Sequence, residues 1–515
     1  MNKKLLGVLL VLSFIGGGII WFASSPYGIG LSPDSVTYIA VARHVLQGQG
    51  LTGYDGMPHT EQPPFYPLVL ASAAYVSGSD PLQVARPVSV ALVVVIIFLS
   101  GLLFLKYLKQ FPELAVLGAV AIVVAPPVIN VGRMAWSEPL FISLMLLSLL
   151  LAHCYLKEGT IPSLALFALS LALTSLTRYI GFAFLAVGAF VVMSRKKDSM
   201  RAFFCHFTVY LLWGGLLPAL WLARNFLVSG SLFGTRAPAE SSFLQNVSVT
   251  IWKIWRWYFP PGLNKWIWIV VLVMLGELSL INIHKRWNFV KTRDSLLFQE
   301  LASLLLYVTI YALALVAAAS QVAFDQIGDR LLSPLYPIST LLLWLFLAWS
   351  IVYFSDLRDW KTQSRTRVLL ALVLIIWLIY PASKSRTLIN LMRTEGRGYN
   401  NPGWRHSRVL QYLKDHQDAL KTQCSIYYTN DPQAFYLFIN RPSILSPQKR
   451  IYRSSQTISL EHLRGRWPKA SPACLVWFAY TGRTYLFSPE ELRTIARMTP
   501  IVHFDDEEVY LVWRR

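Results

Sequence analysis

LLGVLLVLSFIGGGIIWFA, residues 5–23, carries no charge from end to end. A helix crossing the roughly 30 Å hydrocarbon core of a bilayer needs about 20 such residues. Lys3 and Lys4 precede the run, and small residues follow it near Ala23 and Ser25, a pattern shared with cleaved signal peptides. Its length favours a retained span, and on either reading the segment that follows begins outside the membrane.

Comparable runs recur along the chain. Candidate spans lie at 5–23, 87–106, 114–130, 138–156, 161–177, 179–194, 203–223, 266–284, 297–319, 333–354 and 367–382, about eleven transmembrane helices in all. Composition agrees, with 55% hydrophobic against 14% charged residues and a mean hydropathy of +0.46. A soluble fold could not hide that much apolar surface, so the chain reads as a polytopic α-helical membrane protein.

The net charge of +20 does not point to nucleic acid. With the amino terminus inside, Lys106, Lys109, Lys157, the Arg195 to Lys197 cluster, the His284 to Arg286 cluster, Arg358, Lys361 and Arg365 all fall in inner loops, as the positive-inside rule requires. The same threading puts three segments outside: loops 24–86 and 224–265, and the tail from Ser383 to Arg515. Residues 1–382 are therefore expected to form the membrane domain and residues 383–515 a small extracytoplasmic α/β domain. In the tail, strands are expected at Cys424 to Thr429 and Cys474 to Ala479, and helices at Arg408 to Ala419 and Pro489 to Met498. Cys424 and Cys474 each open a strand, so a disulfide is geometrically possible if the strands are neighbours. Cys154 and Cys205 sit in or beside apolar runs and read as small hydrophobes.

In the first outer loop, Ser32-Pro33-Asp34-Ser35 is a helix-start signature: a capping serine, a proline at the first position, and an acid facing the positive end of the helix dipole. Val36, Ile39, Ala40 and Leu46 supply an apolar side. This juxtamembrane helix is expected to end at Gly48 or Gly50, and Pro63-Pro64 to open a second. Taken alone, Asp34 is a helix-terminal charge without chemistry.

Its surroundings change that reading. The stretch from Asp34 to Tyr38, the stretch Ala42 to Leu51 and the run Gln62-Pro63-Pro64-Phe65-Tyr66-Pro67 together resemble the first loop of GT-C glycosyltransferases, a superfamily that includes protein O-mannosyltransferases and the aminoarabinose transferase of lipid A. Trp136 to Phe141, Thr177 to Gly181, Arg224 to Gly230, Gly328 to Pro337 and the tail segment Tyr427 to Pro432 resemble later landmarks of the same superfamily. The resemblance covers nearly the whole chain, although each landmark is short.

The resemblance implies a sugar transfer from a polyprenyl-phosphate donor to a glycan, lipid or protein acceptor at the outer face of a bacterial inner membrane, with membrane lipid as the other partner. It makes Asp34 the candidate general base. Glu138 would assist it by binding acceptor or, with Asp34, a divalent cation; read alone, Glu138 is equally well a helix-start carboxylate. Tyr38, His59, Glu61 and Tyr179 are candidates for acceptor or donor binding, His59 and Glu61 also as further metal ligands. Many members carry a basic residue immediately before the paired prolines, where this chain has Gln62. Phosphate binding therefore falls to Arg178, Arg224 or Arg330, each of which also suits a headgroup anchor.

Two features fit other classes. Trp252, Trp255, Trp257 and Tyr258 with Lys253 and Arg256 suit an ordinary membrane interface. Glu277 and Glu300, in or beside apolar spans, invite a transporter or flippase reading, but the chain shows neither paired halves nor mid-membrane charge clusters of the kind transporters carry.

Overall fold

The computed structural model describes residues 3–195, 199–234, 238–261, 295–323, 325–355, 360–452 and 456–515. The expected span at 266–284 and Glu277 lie outside the described residues. Among those described, six helices are long and apolar enough to cross a bilayer, or seven if one bent pair counts as a single span.

The first is α1, Lys3–Ala23. Two short helices of the first loop follow, α2 at Pro33–Leu46 and α3 at Phe65–Ser77. The chain then enters α4, Pro81–Tyr107, which is capped by Asp80. The bent pair is α5, Pro112–Val123, and α6, Pro126–Gly132. It turns by 45° because Pro126 and Pro127 cannot continue the hydrogen-bond ladder of the preceding helix. Next come α7 at Glu138–Glu158, α8 at Ile161–Thr177, α9 at Ala183–Ser194, α10 at Met200–Ser229 and α11 at Phe243–Tyr258. Apolar helices at Ser295–Gln321 and Leu335–Ser355 precede the last long one, Trp360–Glu395.

These helices share one apolar core in which Phe141, Phe184, Tyr307, Tyr311, Tyr336 and Trp344 are fully buried. Glu300 is buried, where an unpaired carboxylate would be costly. It is paired with Lys106 at 2.7 Å and with His153.

The helix Trp360–Glu395 runs on through residue 383, and the segment expected as the tail domain continues beyond it. The domain is built on a five-stranded sheet ordered β2-β1-β3-β5-β4. Its strands are β1 at Tyr427–Thr429, β2 at Ile444–Leu445, β3 at Ala473–Trp477, β4 at Ala496–Phe504 and β5 at Glu507–Arg514. The first three are parallel, and β5 joins β3 and β4 antiparallel. Cys424 and Cys474 are joined as a disulfide.

Two local expectations for this domain are corrected. The helix at Pro489 stops at Arg493, and Ala496 to Met498 belong to β4, where pairing with β5 across a hairpin outweighs the local helical pattern. Pro500 is tolerated because β4 is an edge strand, and the register shifts just beyond it. The helix expected from Arg408 to Ala419 is broken at His416 into Arg408–Asp415 and Gln417–Gln423.

The first loop and this domain bury their apolar residues together. Val36, Ile39, Ala40 and Tyr66 share a core with Phe435, Tyr436, Val476 and Val509. A polar seam closes the same junction: Asp431 pairs with Arg483 at 3.1 Å and accepts from the Tyr399 hydroxyl at 2.8 Å, while Gln433 donates to the Tyr54 hydroxyl at 2.9 Å.

Candidate active site

The segment that positions Asp34 is fixed before α2 begins. Gly30 N–H donates to the Arg133 carbonyl at 2.9 Å, and Ala135 N–H returns a bond of 2.9 Å to the Gly30 carbonyl. A β-carbon at Gly30 would lie 2.3 Å from Met134 Sδ and 3.0 Å from the Arg133 carbonyl oxygen, so the close approach of the two segments favours glycine there. Leu31 in turn pairs with the chain at Gly398. This three-segment patch holds the entry to α2 beside the entry to α7, and hence Asp34 beside Glu138.

The expected helix start is present in full. Ser32 caps α2 in a reciprocal capping box with Ser35, with Pro33 at the first position and Asp34 in the first turn. The Trp136 indole N–H donates to Ser32 Oγ at 2.7 Å, tying the cap to the loop before α7. The helix ends at Leu46, followed by Gly48 with φ of 75°.

Four of the candidate residues converge. Arg330, on a one-turn helix at Asp329–Leu332, places Nη2 2.5 Å from Asp34 Oδ2 and Nε 2.6 Å from Glu138 Oε1. Arg178, the extended residue just past the end of α8, brings Nη1 to 2.6 Å from the same Glu138 oxygen. The Arg330 guanidinium also lies 4.0 Å over the Trp136 ring. Tyr38 reaches the centre through Ser137, with 3.1 Å between their hydroxyl oxygens, and Arg178 Nη1 lies 3.1 Å from the same Ser137 Oγ. The Glu138 side chain is 1% exposed and that of Asp34 33% exposed, so the network is sealed at one end and open to an incoming molecule at the other.

Burial tends to raise the Asp34 pKa, but the charge and hydrogen bond of Arg330, the charge of Arg178 and a hydrogen bond from Gln62 outweigh it, leaving the carboxyl below its usual range. Burial tends to lower the Arg330 pKa, and the charges of Glu138 and Asp34 more than reverse that. Burial, followed by the charges of Asp34 and Glu138, raises Tyr38, which keeps its proton. At neutral pH Asp34 is an ionised acceptor clamped by an arginine.

The remaining candidates form a neighbouring group that secures residues 51–61. Tyr179 donates to the Thr60 carbonyl at 2.6 Å and accepts from Trp221 at 3.2 Å and Asn225 at 2.9 Å. Arg224 donates to the carbonyls of His59 and, at 3.3 Å, Leu51, and lies 5.0 Å over the Trp221 ring. Burial, reinforced by the nearby Arg224 charge, brings His59 down to about 4, so its ring is neutral. The Glu61 side chain is exposed at the end of this stretch.

Gln62, at the position where a cation was expected, touches the centre directly. Its Nε2 donates to Asp34 Oδ1 at 3.0 Å, and its Oε1 is buried without a partner. Sequence marked this position only for the charge it lacks. Among the described residues no three His, Cys, Asp or Glu side chains are grouped so that they could hold a metal ion.

A scan of protein-family models and a search of curated protein sequences each return no match. Comparison with solved structures finds the same fold at low sequence identity. The chain is similar to ArnT from Cupriavidus metallidurans bound to undecaprenyl phosphate, with a TM-score of 0.58, 13% identity and 97% of each chain covered. It is also similar to the oligosaccharyltransferase of Archaeoglobus fulgidus, with a TM-score of 0.56, 12% identity, and 86% of this chain and 64% of that one covered.

Proposed function

We propose that this protein is a membrane glycosyltransferase that moves a sugar from a polyprenyl-phosphate carrier to a hydroxyl of a cell-envelope glycan, lipid or protein, with Asp34 as general base. The observation that carries this reading is the Asp34, Arg330, Glu138 and Arg178 network, which puts an ionised carboxylate and two guanidinium groups at one partly open point.

Such a transfer needs an acceptor for the hydroxyl proton and cations for the departing phosphate. The acceptor oxygen attacks the anomeric carbon while its proton passes to Asp34, and the bond from that carbon to the phosphate oxygen breaks. The polyprenyl phosphate leaves with the bonding electron pair, and a single displacement inverts the anomeric centre. Arg330 and Arg178 receive the phosphate charge; planar guanidinium groups can hold its oxygens in pairs. Arg330 then exchanges its bond to Asp34 for one to phosphate, which frees the carboxylate at the moment a base is needed. Arg224 acts at one remove by fixing the loop that delivers Gln62, and Tyr38 orders Ser137 beside Arg178.

The fold shared with ArnT, whose structure holds undecaprenyl phosphate, supports a lipid-phosphate carrier. The threading that satisfies the positive-inside rule supports a reaction on the outer face of a bacterial inner membrane, with the amino terminus cytoplasmic and the tail domain on the outer side.

The test is incubation of purified protein with a panel of polyprenyl-phosphate sugars, paired with mass spectrometry of envelope glycans in a deletion strain. Release of polyprenyl phosphate with a matching loss of one sugar in the strain supports the proposal. Inertness toward every donor and an unchanged glycan profile would refute it.

A further inference from the structure

Away from the catalytic network, α1 and α4 line a shallow, open groove of about 560 Å³. It is lined by Phe14, Gly17, Gly18, Trp21, Pro87 and Val94, among others, and its surface is almost wholly apolar. The two glycines have different parts in it. A β-carbon on Gly17 would come within 2.6 Å of Val94 Cγ2, so Gly17 allows the helices to approach. A β-carbon on Gly18 would meet nothing within 4 Å, so Gly18 leaves the floor of the groove open.

Charge gathers where the groove ends, at the last turn of α1. Arg86 stacks 3.7 Å over the Trp21 ring, donates through Nη2 to the Trp21 carbonyl at 2.8 Å and through Nε to Ser24 Oγ at 3.0 Å. Arg393 stacks 3.8 Å over Phe22 and donates to the Phe22 carbonyl at 2.9 Å. Among the described residues neither arginine pairs with a carboxylate. A guanidinium carries five N–H groups, and Arg86 commits only two of them, which leaves its Nη1 edge for an anion.

We propose that this groove binds one anionic glycerophospholipid, its acyl chain laid along Gly18 between α1 and α4 and its phosphate held by Arg86 with Arg393 beside it. An apolar slot of this volume is in the range of small-molecule sites. The pairing of an apolar channel with uncompensated cations at its mouth selects an amphiphile with a negative head over a neutral one. Trp21, stacked under Arg86, sets the depth of the headgroup as aromatic residues do at membrane interfaces.

The test is native mass spectrometry of the full chain exchanged into micelles holding equal phosphatidylglycerol and phosphatidylcholine. Wild type should retain phosphatidylglycerol in preference. Arg86→Gln should lower that retention by roughly tenfold, the scale of one charge-assisted hydrogen bond, while Arg86→Lys keeps part of it. Gly18→Leu, whose β-carbon meets nothing within 4 Å and whose side chain would occupy the groove, should displace the lipid while leaving the unfolding temperature of delipidated protein unchanged. Equal retention of the two lipids by wild type, or unaltered phosphatidylglycerol retention in both Arg86→Gln and Gly18→Leu, would overturn the proposal. So would preferential retention of added undecaprenyl phosphate, which would make the groove a site for the carrier.

Discussion

Arg330 Nη2 lies 2.5 Å from Asp34 Oδ2 across 296 residues of chain. The same guanidinium reaches Glu138 through its Nε. A single cation therefore restrains both carboxylates of the centre, and its planar shape is what lets it do so.

A lysine at that position offers a point charge in place of a fork. Arg330→Lys should therefore lower kcat/KM by about a hundredfold in the scale of oxyanion-type contacts, although net charge is conserved. Arg224→Ala, which removes bonds to the loop carbonyls and to Asn225 and a stack on Trp221 but no bond to Asp34 or Glu138, should mainly raise KM. Steady-state kinetics of the two variants side by side check this, and equal losses of kcat would contradict the separate roles.

Glu138 has no exposed surface to relax into. Removing its charge with Glu138→Ala leaves Arg178 and Arg330 buried beside each other without their shared carboxylate, a change that typically costs about 3–5 kcal/mol. Thermal unfolding in detergent should show a marked fall in Tm. An unchanged Tm would mean that the network is not a structural unit.

The lowered pKa of Asp34 fixes a pH dependence. A carboxyl depressed in the folded state contributes stability above its unfolded value of about 3.9, and that stability is lost as pH falls through the folded value. The stability difference between wild type and Asp34→Asn should be constant from neutral pH down to about pH 5 and shrink only below about pH 4. Chemical unfolding at a series of pH values measures it; a difference that changes around pH 6 or 7 would show a raised pKa.

Gln62 offers a handle on the same group. Gln62→Glu sets a second carboxyl within hydrogen-bond reach of Asp34, and like charges at that distance raise the pKa of one of the pair. The acid limb of the pH–rate profile should move to higher pH than in wild type. A profile that does not move would show that residue 62 does not face Asp34 in the working enzyme.

The membrane architecture was legible because the bilayer imposes it: a run such as residues 5–23 has few other solutions. The cap of α2 was legible for the same kind of reason, since Ser32, Pro33 and Asp34 each have a local preference that agrees. Contacts between distant segments were not legible. Nothing in the spacing of Asp34, Glu138, Arg178 and Arg330 shows that Arg330 bonds both acids, or that Arg224 turns to the loop carbonyls. The strand at Ala496 to Met498 was misread because its partner, β5, decides its conformation. Gln62 was noticed for its missing charge, while its bond to Asp34 depends on a loop whose path is set by Tyr179 and Arg224.

The central claim is that Asp34 takes the acceptor proton. Transfer by the purified Asp34→Asn variant, measured with the polyprenyl-phosphate sugar that wild type accepts, tests it most directly. Because asparagine keeps the shape but cannot take the proton, kcat should fall by about 10² to 10⁴ with donor still bound and the protein still folded. A rate equal to that of wild type would contradict the mechanism.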